Sequence, residues 1–148
     1  MVRIPSLVIA LAAFTLPGGA TDGTFTSPSG GAWSNPANWQ NATVGGGTGS
    51  AVSLRAPLSG NATVSLDAET TIGDLSVEDT NGGHSWTLSG ATLAFDSGDG
   101  SSSEVDVADD TTLVASSIAN ANEVVKTGAG QWTIAPTATA PPSPKVLW

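Results

Sequence analysis

The sequence predicts an all-β fold, with a solenoid of stacked coils and a β-sandwich as the competing architectures. Three observations predict it. Apolar residues alternate at period two in short runs, clusters of Gly, Asn, Asp and Ser separate those runs, and helical spacing is nearly absent. Composition agrees. Gly, Ser, Thr, Ala and Val dominate, while the Glu, Lys and Arg that long helices need are scarce.

The chain opens on Met1-Val2-Arg3, a short positive start, followed by an uncharged apolar run from Ile4 to Leu16. Pro17-Gly18-Gly19-Ala20 ends that run, with Gly18 and Ala20 at the two small-residue positions of a signal-peptidase site. A membrane-spanning helix needs about 20 apolar residues, more than this run supplies. Residues 1–20 therefore read as a secretory leader cleaved after Ala20. No second apolar stretch occurs, so the exported chain is not expected to be an integral helical membrane protein.

Residues 21–50 form a Gly/Ser/Asn-rich opening and cap segment, with one short strand expected around Gly23-Thr24-Phe25-Thr26. Residues 51–135 carry the strand pattern. Val52 and Leu54, Val64 and Leu66, Leu75 and Val77, and Trp86 and Leu88 alternate; so do Leu93 and Phe95, Val105 and Val107, and Trp132 and Ile134. The intervening turns are Leu58-Ser59-Gly60-Asn61, Asp79-Thr80-Asn81-Gly82-Gly83, Ser89-Gly90 and Asp96-Ser97-Gly98-Asp99-Gly100. Ile118 to Val125 is the one stretch open to a helical turn. The Asn61–Leu66 and His84–Ser89 segments are spaced like successive coils, so the region has room for about three or four, near the minimum for a stacked array. Such coils would bring Val64, Leu75, Trp86, Leu93, Val105 and Trp132 into parallel stacking. Residues 136–148 are a tail whose four prolines cannot continue a strand ladder.

Charge and cysteine content narrow the function. Thirteen acidic side chains oppose four basic ones, a net charge of −9. Nucleic acid is not an expected partner, because phosphate neutralisation needs clustered Lys and Arg. The absence of cysteine excludes disulfides and thiolate metal sites.

Val124-Val125-Lys126-Thr127-Gly128-Ala129-Gly130-Gln131-Trp132-Thr133-Ile134 resembles the autotransporter-associated β-strand repeat of bacteria, whose form is Leu-x-Lys-x-Gly-x-Gly-x-Leu-x-Leu. Val124, Lys126, Gly128, Gly130, Trp132 and Ile134 occupy its marked positions, with Trp132 in place of a leucine. Trp33-Ser34-Asn35-Pro36-Ala37-Asn38-Trp39 resembles the tryptophan-bearing start of many such proteins. The resemblance implies a passenger-type segment, folded as a right-handed parallel β-helix and displayed outside the cell. A single copy of the repeat is present, and Ala135-Pro136 departs from its usual continuation. No translocator barrel, which adds many alternating strands, is present in the sequence.

Among candidate sites, Trp33 and Trp39 admit two readings. They stack on sugar rings, or they plug the open end of the first coil, as large aromatics more often do. Asp96-Ser97-Gly98-Asp99-Gly100 with Glu104 lacks the spacing of a calcium loop and reads as an ordinary turn, as does Asp109-Asp110. His84, the sole histidine, is expected at a strand start with its ring in solvent, and no multi-histidine metal site is available. Gly128-Ala129-Gly130 lacks the third glycine of a nucleotide loop. Lys126 is expected to lay its stem over apolar surface and its ammonium near carboxylates. After export only Arg55, Lys126 and Lys145 remain as cations, too few for the basic chemistry of lyases acting on acidic sugars.

The sequence thus predicts a non-catalytic exported or surface segment with a structural or adhesive role, without cofactor or metal. Extracellular glycan or cell-envelope components are its expected partners. The alternatives are a carbohydrate-binding module using Trp33 and Trp39 and a polysaccharide-active enzyme.

Overall fold

A computed structural model describes residues 19–135 and the backbone of 146–147. Residues 1–18 of the expected leader and residues 136–145 and 148 of the expected tail lie outside the described residues. Against expectation the tail returns to the ladder, because Val146–Leu147 pairs in parallel with Val124–Val125.

Alternating sequence produces alternating burial. Strand β1 (Gly23–Phe25) and β2 (Gly30–Ala32) precede two short 3-10 turns at Pro36–Asn38 and Gln40–Ala42. Then come β3 (Ala51–Ala56), β4 (Ala62–Leu66), β5 (Thr70–Ile72), β6 (Asp74–Asp79), β7 (Ser85–Gly90) and β8 (Leu93–Phe95). β9 (Ser103–Val107), β10 (Thr112–Ala115), β11 (Ile118–Asn120), β12 (Val124–Thr127), β13 (Gln131–Ile134) and β14 (Val146–Leu147) complete the set. In β4, Ala62, Val64 and Leu66 are buried while Thr63 and Ser65 are exposed, the period of two that a strand imposes.

The strands assemble into three sheets. One has six strands in the order β1-β3-β6-β9-β12-β14, a second has five in the order β2-β4-β7-β10-β13, and a third has three, β5-β8-β11. Every strand pair in them is parallel. From β3 to β11 the chain visits the sheets in rotation, so each sheet takes every third strand. The expected stacking residues are thereby divided: Leu75 aligns with Val105, Trp86 with Leu113, Leu113 with Trp132, and Val64 with Leu88. Leu93 aligns with Ile118 in the third sheet.

A single apolar core draws on all three sheets. Leu54 and Val77 enter from the first, Val64, Trp86 and Leu113 from the second, and Ile72, Leu93 and Phe95 from the third. Burying each such side chain contributes about 1.5–3 kcal/mol, which matters in a chain without disulfides. Ile118 to Val125 holds no helical turn; β11 and the start of β12 occupy it. Ile118 aligns with Leu93 and Val124 with Ser103, so neighbouring strands override the local spacing. Among the described residues no helix is long and apolar enough to cross a membrane.

The outer edges of β1, β2 and β5 are covered. Thr21 bridges Gly46, and Phe25 bridges Trp39, both antiparallel, on the side of β1 away from β3. Gly47 N–H donates to the Thr71 carbonyl of β5 at 2.7 Å, and Asn38 Nδ2 donates to the Ala32 carbonyl of β2 at 2.9 Å. Residues 38–47 thus occupy polar backbone groups that an open sheet end leaves available for aggregation.

Candidate functional site

Three constellations carry the chemistry of the chain. The first is aromatic. Trp33 and Trp39 meet edge-to-face with ring centroids 4.9 Å apart, and Trp39 meets Phe25 in the same way at 5.3 Å. Phe25 in turn meets Trp86 at 6.1 Å. Trp33 and Trp39 are each 3% exposed. Their indole N–H groups are occupied as well: Trp39 Nε1 donates to the Trp33 carbonyl at 2.6 Å, and Trp33 Nε1 donates to the Gly45 carbonyl at 3.0 Å. The structure brings the two tryptophans together, but inside the core, with neither ring presented for stacking on a sugar.

The second is the Lys-x-Gly-x-Gly segment. Val124 is buried in β12, Trp132 is buried in β13, and Ile134 is half-buried against the core. Lys126 aligns with the inward-facing Val105 of the neighbouring strand β9, so its stem follows an apolar file. Its ammonium reaches carbonyls rather than the expected carboxylates: Nζ donates to Thr127 O at 3.0 Å and Gly128 O at 2.7 Å. The turn bends back onto itself, and its own carbonyls are the nearest acceptors. Gly128 has φ +73°, and a Cβ there would collide with the Val107 carbonyl oxygen; a Cβ on Gly130 would collide with that of Ala108. Both glycines are therefore needed for close approach to the backbone at the end of β9. A shallow hollow of about 500 Å³ lies over Lys126, Gly128, Ala129, Gly130, Gln131 and Trp132.

Sequence reasoning missed the third. Asp79, at the end of β6, has a side chain that is 0% exposed, and His84 Nδ1 lies 2.9 Å from its Oδ2. The carboxylate also accepts backbone N–H groups from Leu58 (3.0 Å), Asn81 (3.0 Å) and His84 (3.2 Å). Asp79 N–H donates to Thr111 Oγ1 at 3.0 Å, and Asn81 Nδ2 donates to Leu58 O at 2.9 Å. This knot joins the turn after β3, the turn after β6 and the start of β10. Burial pushes the Asp79 carboxyl up, but the hydrogen bonds from His84, Asn81 and Leu58 and the charge of His84 outweigh it and hold it below its ordinary value. The His84 ring is thus tethered rather than left to solvent. An Asp five residues before the only histidine, across an Asn-Gly-Gly turn, is the signal that points to it.

The remaining acidic turn behaves as a turn. Asp96 Oδ1 accepts from Gly98 N–H and Asp99 Oδ1 from Ser101 N–H, both at 2.9 Å. Among the described residues, no group of three or more His, Cys, Asp or Glu side chains is arranged to hold a metal ion. Comparison with protein-family models, curated proteins and solved structures finds no match to the chain.

Proposed function

We propose that the chain is an exported, non-catalytic segment folded as a right-handed parallel β-helix, with a structural or adhesive role at a bacterial cell surface. One observation carries the reading: all strand pairs of the three sheets are parallel, with the sheets visited in rotation. A parallel crossover is right-handed in nearly all proteins, which supplies the hand. Rigid stacked coils suit display of an extended strand surface, and the acidic exterior suits a protein kept soluble by self-repulsion. The leader reading of residues 1–20 and the repeat-like segment from Val124 to Ile134 support a passenger-type origin. Extracellular glycan or cell-envelope components are the proposed partners. Stacking of sugar on Trp33 and Trp39 is not favoured, because both rings are buried.

Production of the full chain in a Gram-negative host tests the proposal. The expected product starts at Thr21 by intact mass and is recovered outside the cytoplasm, in the periplasm or the medium. An uncleaved chain retained in the cytoplasm would contradict export and the role built on it.

A further inference from the structure

We propose that the outward face of the five-stranded sheet is a docking surface for an uncharged crystalline solid, and that this solid is ice. The proposal rests on reading the stacked strands as a rigid display scaffold.

Charge is partitioned between the two large sheets. No strand of the five-stranded sheet contains a charged residue: the segments are GGA, ATVSL, SWTLSG, TLVA and QWTI. The six-stranded sheet carries Arg55, Asp74, Glu78, Glu104 and Asp106, besides Lys126 and the buried Asp79. In a protein of net charge −9 the first face offers nothing to an ionic ligand. Its outward positions form a grid. Thr63 aligns with Thr87, Thr87 with Val114 and Val114 with Thr133, while Ser65 aligns with Ser89 alongside. The file repeats at the interstrand spacing of about 4.8 Å.

The hydroxyls on this file are available. Among the described residues, Thr63, Thr87 and Thr133 make no side-chain hydrogen bond within the protein. Thr127 on the six-stranded sheet differs, for its hydroxyl donates to Glu104 Oε1 at 2.5 Å. β-Branched side chains are stiff at χ1, so each threonine holds a methyl and a hydroxyl at a fixed spacing.

Size and chemistry narrow the occupant. Four strands of about five residues present roughly 300 Å², against the roughly 800 Å² that each partner contributes to a stable protein interface. A second copy or a folded protein is therefore too poorly held. Sugar recognition draws on aromatic faces, and Trp86 and Trp132, the aromatics of this sheet, are buried. A crystal rewards regular spacing itself, because every cell repeats the same donors and acceptors and weak contacts accumulate along the file.

The test uses the exported chain in an ice-recrystallisation assay and in adsorption of labelled protein to a single ice crystal. The wild type is expected to adsorb and to inhibit recrystallisation. Thr87→Lys, and separately Thr63→Lys at an exposed position of the same file, are expected to lose both. Ser76→Lys, outward on the six-stranded sheet, is expected to keep both. Exclusion of the wild type from ice, or equal loss in Ser76→Lys, overturns the proposal. So does adsorption to microcrystalline cellulose or chitin in place of ice, which would assign the face to a neutral polysaccharide. Oxidation of a Thr63→Cys/Thr87→Cys chain separates the two levels. A cross-link in that chain together with exclusion of the wild type from ice removes the occupant alone, whereas failure to cross-link removes the scaffold reading beneath it.

Discussion

His84 Nδ1 sits 2.9 Å from the Asp79 carboxylate, which is sealed from solvent at the corner between β6 and β7. The pair anchors a corner shared by the turns after β3 and β6 and the segment leading into β10, because Asp79 also holds Leu58 N–H and its own N–H is bonded to Thr111. Buried donors left without an acceptor are costly, so stability should depend on this carboxylate far more than on the exposed Arg55–Glu78 pair.

Replacing Asp79 by Asn puts an amide nitrogen where one oxygen now accepts hydrogen bonds. The expected cost is about 3 kcal/mol by urea unfolding. Arg55→Ala, which removes a surface ion pair, is expected to cost less than about 1 kcal/mol. Equal losses in the two variants would remove the special role of the corner.

Acid should expose the same group. The folded Asp79 carboxyl titrates below its unfolded value of 3.8. Its stabilisation is therefore complete above the unfolded value and is lost as pH falls through the folded one. Unfolding followed by circular dichroism should show the wild type losing stability below about pH 4, where unfolded carboxyls begin to protonate. Asp79→Asn should show a shallower decline. Parallel acid limbs for the two proteins would assign the decline to other carboxylates.

Trp39→Ala removes a ring packed between Phe25 and Trp33 and frees the Trp33 carbonyl that its indole N–H satisfies. The expected loss is about 4 kcal/mol, measured by chemical denaturation. Unchanged stability accompanied by lost glycan binding would return the ring to a surface role.

Gly128→Ala combines a backbone at φ +73° with a clash against the Val107 carbonyl. A cost of about 2 kcal/mol or more is expected, with hydrogen exchange accelerated first in β12 and β13. Protection retained in those strands would mean that the corner tolerates a side chain.

Much of the strand content could be read from single residues. Val52, Leu54, Val64, Leu66, Leu75 and Val77 alternate in sequence and are buried in the structure. Pairing was harder to read, because alternation says which face a residue takes and nothing about which strand lies beside it. Ile118 shows the limit: its neighbours permit a helical turn, and its parallel alignment with Leu93 makes a strand. Trp33 and Trp39 were visible as a pair of large aromatics that more often bury, and both rings are buried, with their indole N–H groups bonded to carbonyl oxygens. The Asp79–His84 contact left only its five-residue spacing as a signal, because the other bonds to the carboxylate come from backbone N–H groups, which leave no mark in a sequence.

The parallel stack itself has a direct test, made clean by the absence of native cysteine. Ser53 and Ser76 are register partners in β3 and β6, whereas Ser65 lies in β4 of another sheet. Neighbouring strands place paired Cα atoms within disulfide reach, about 4.4–6.8 Å. The measurement is mass-spectrometric detection of the cross-link after mild oxidation. A Ser53→Cys/Ser76→Cys chain should close quantitatively as a monomer, and a Ser53→Cys/Ser65→Cys chain should stay reduced. Closure of the second pair without the first would mean that β3 and β4 form a hairpin, and would contradict the stacked parallel architecture on which the functional reading stands.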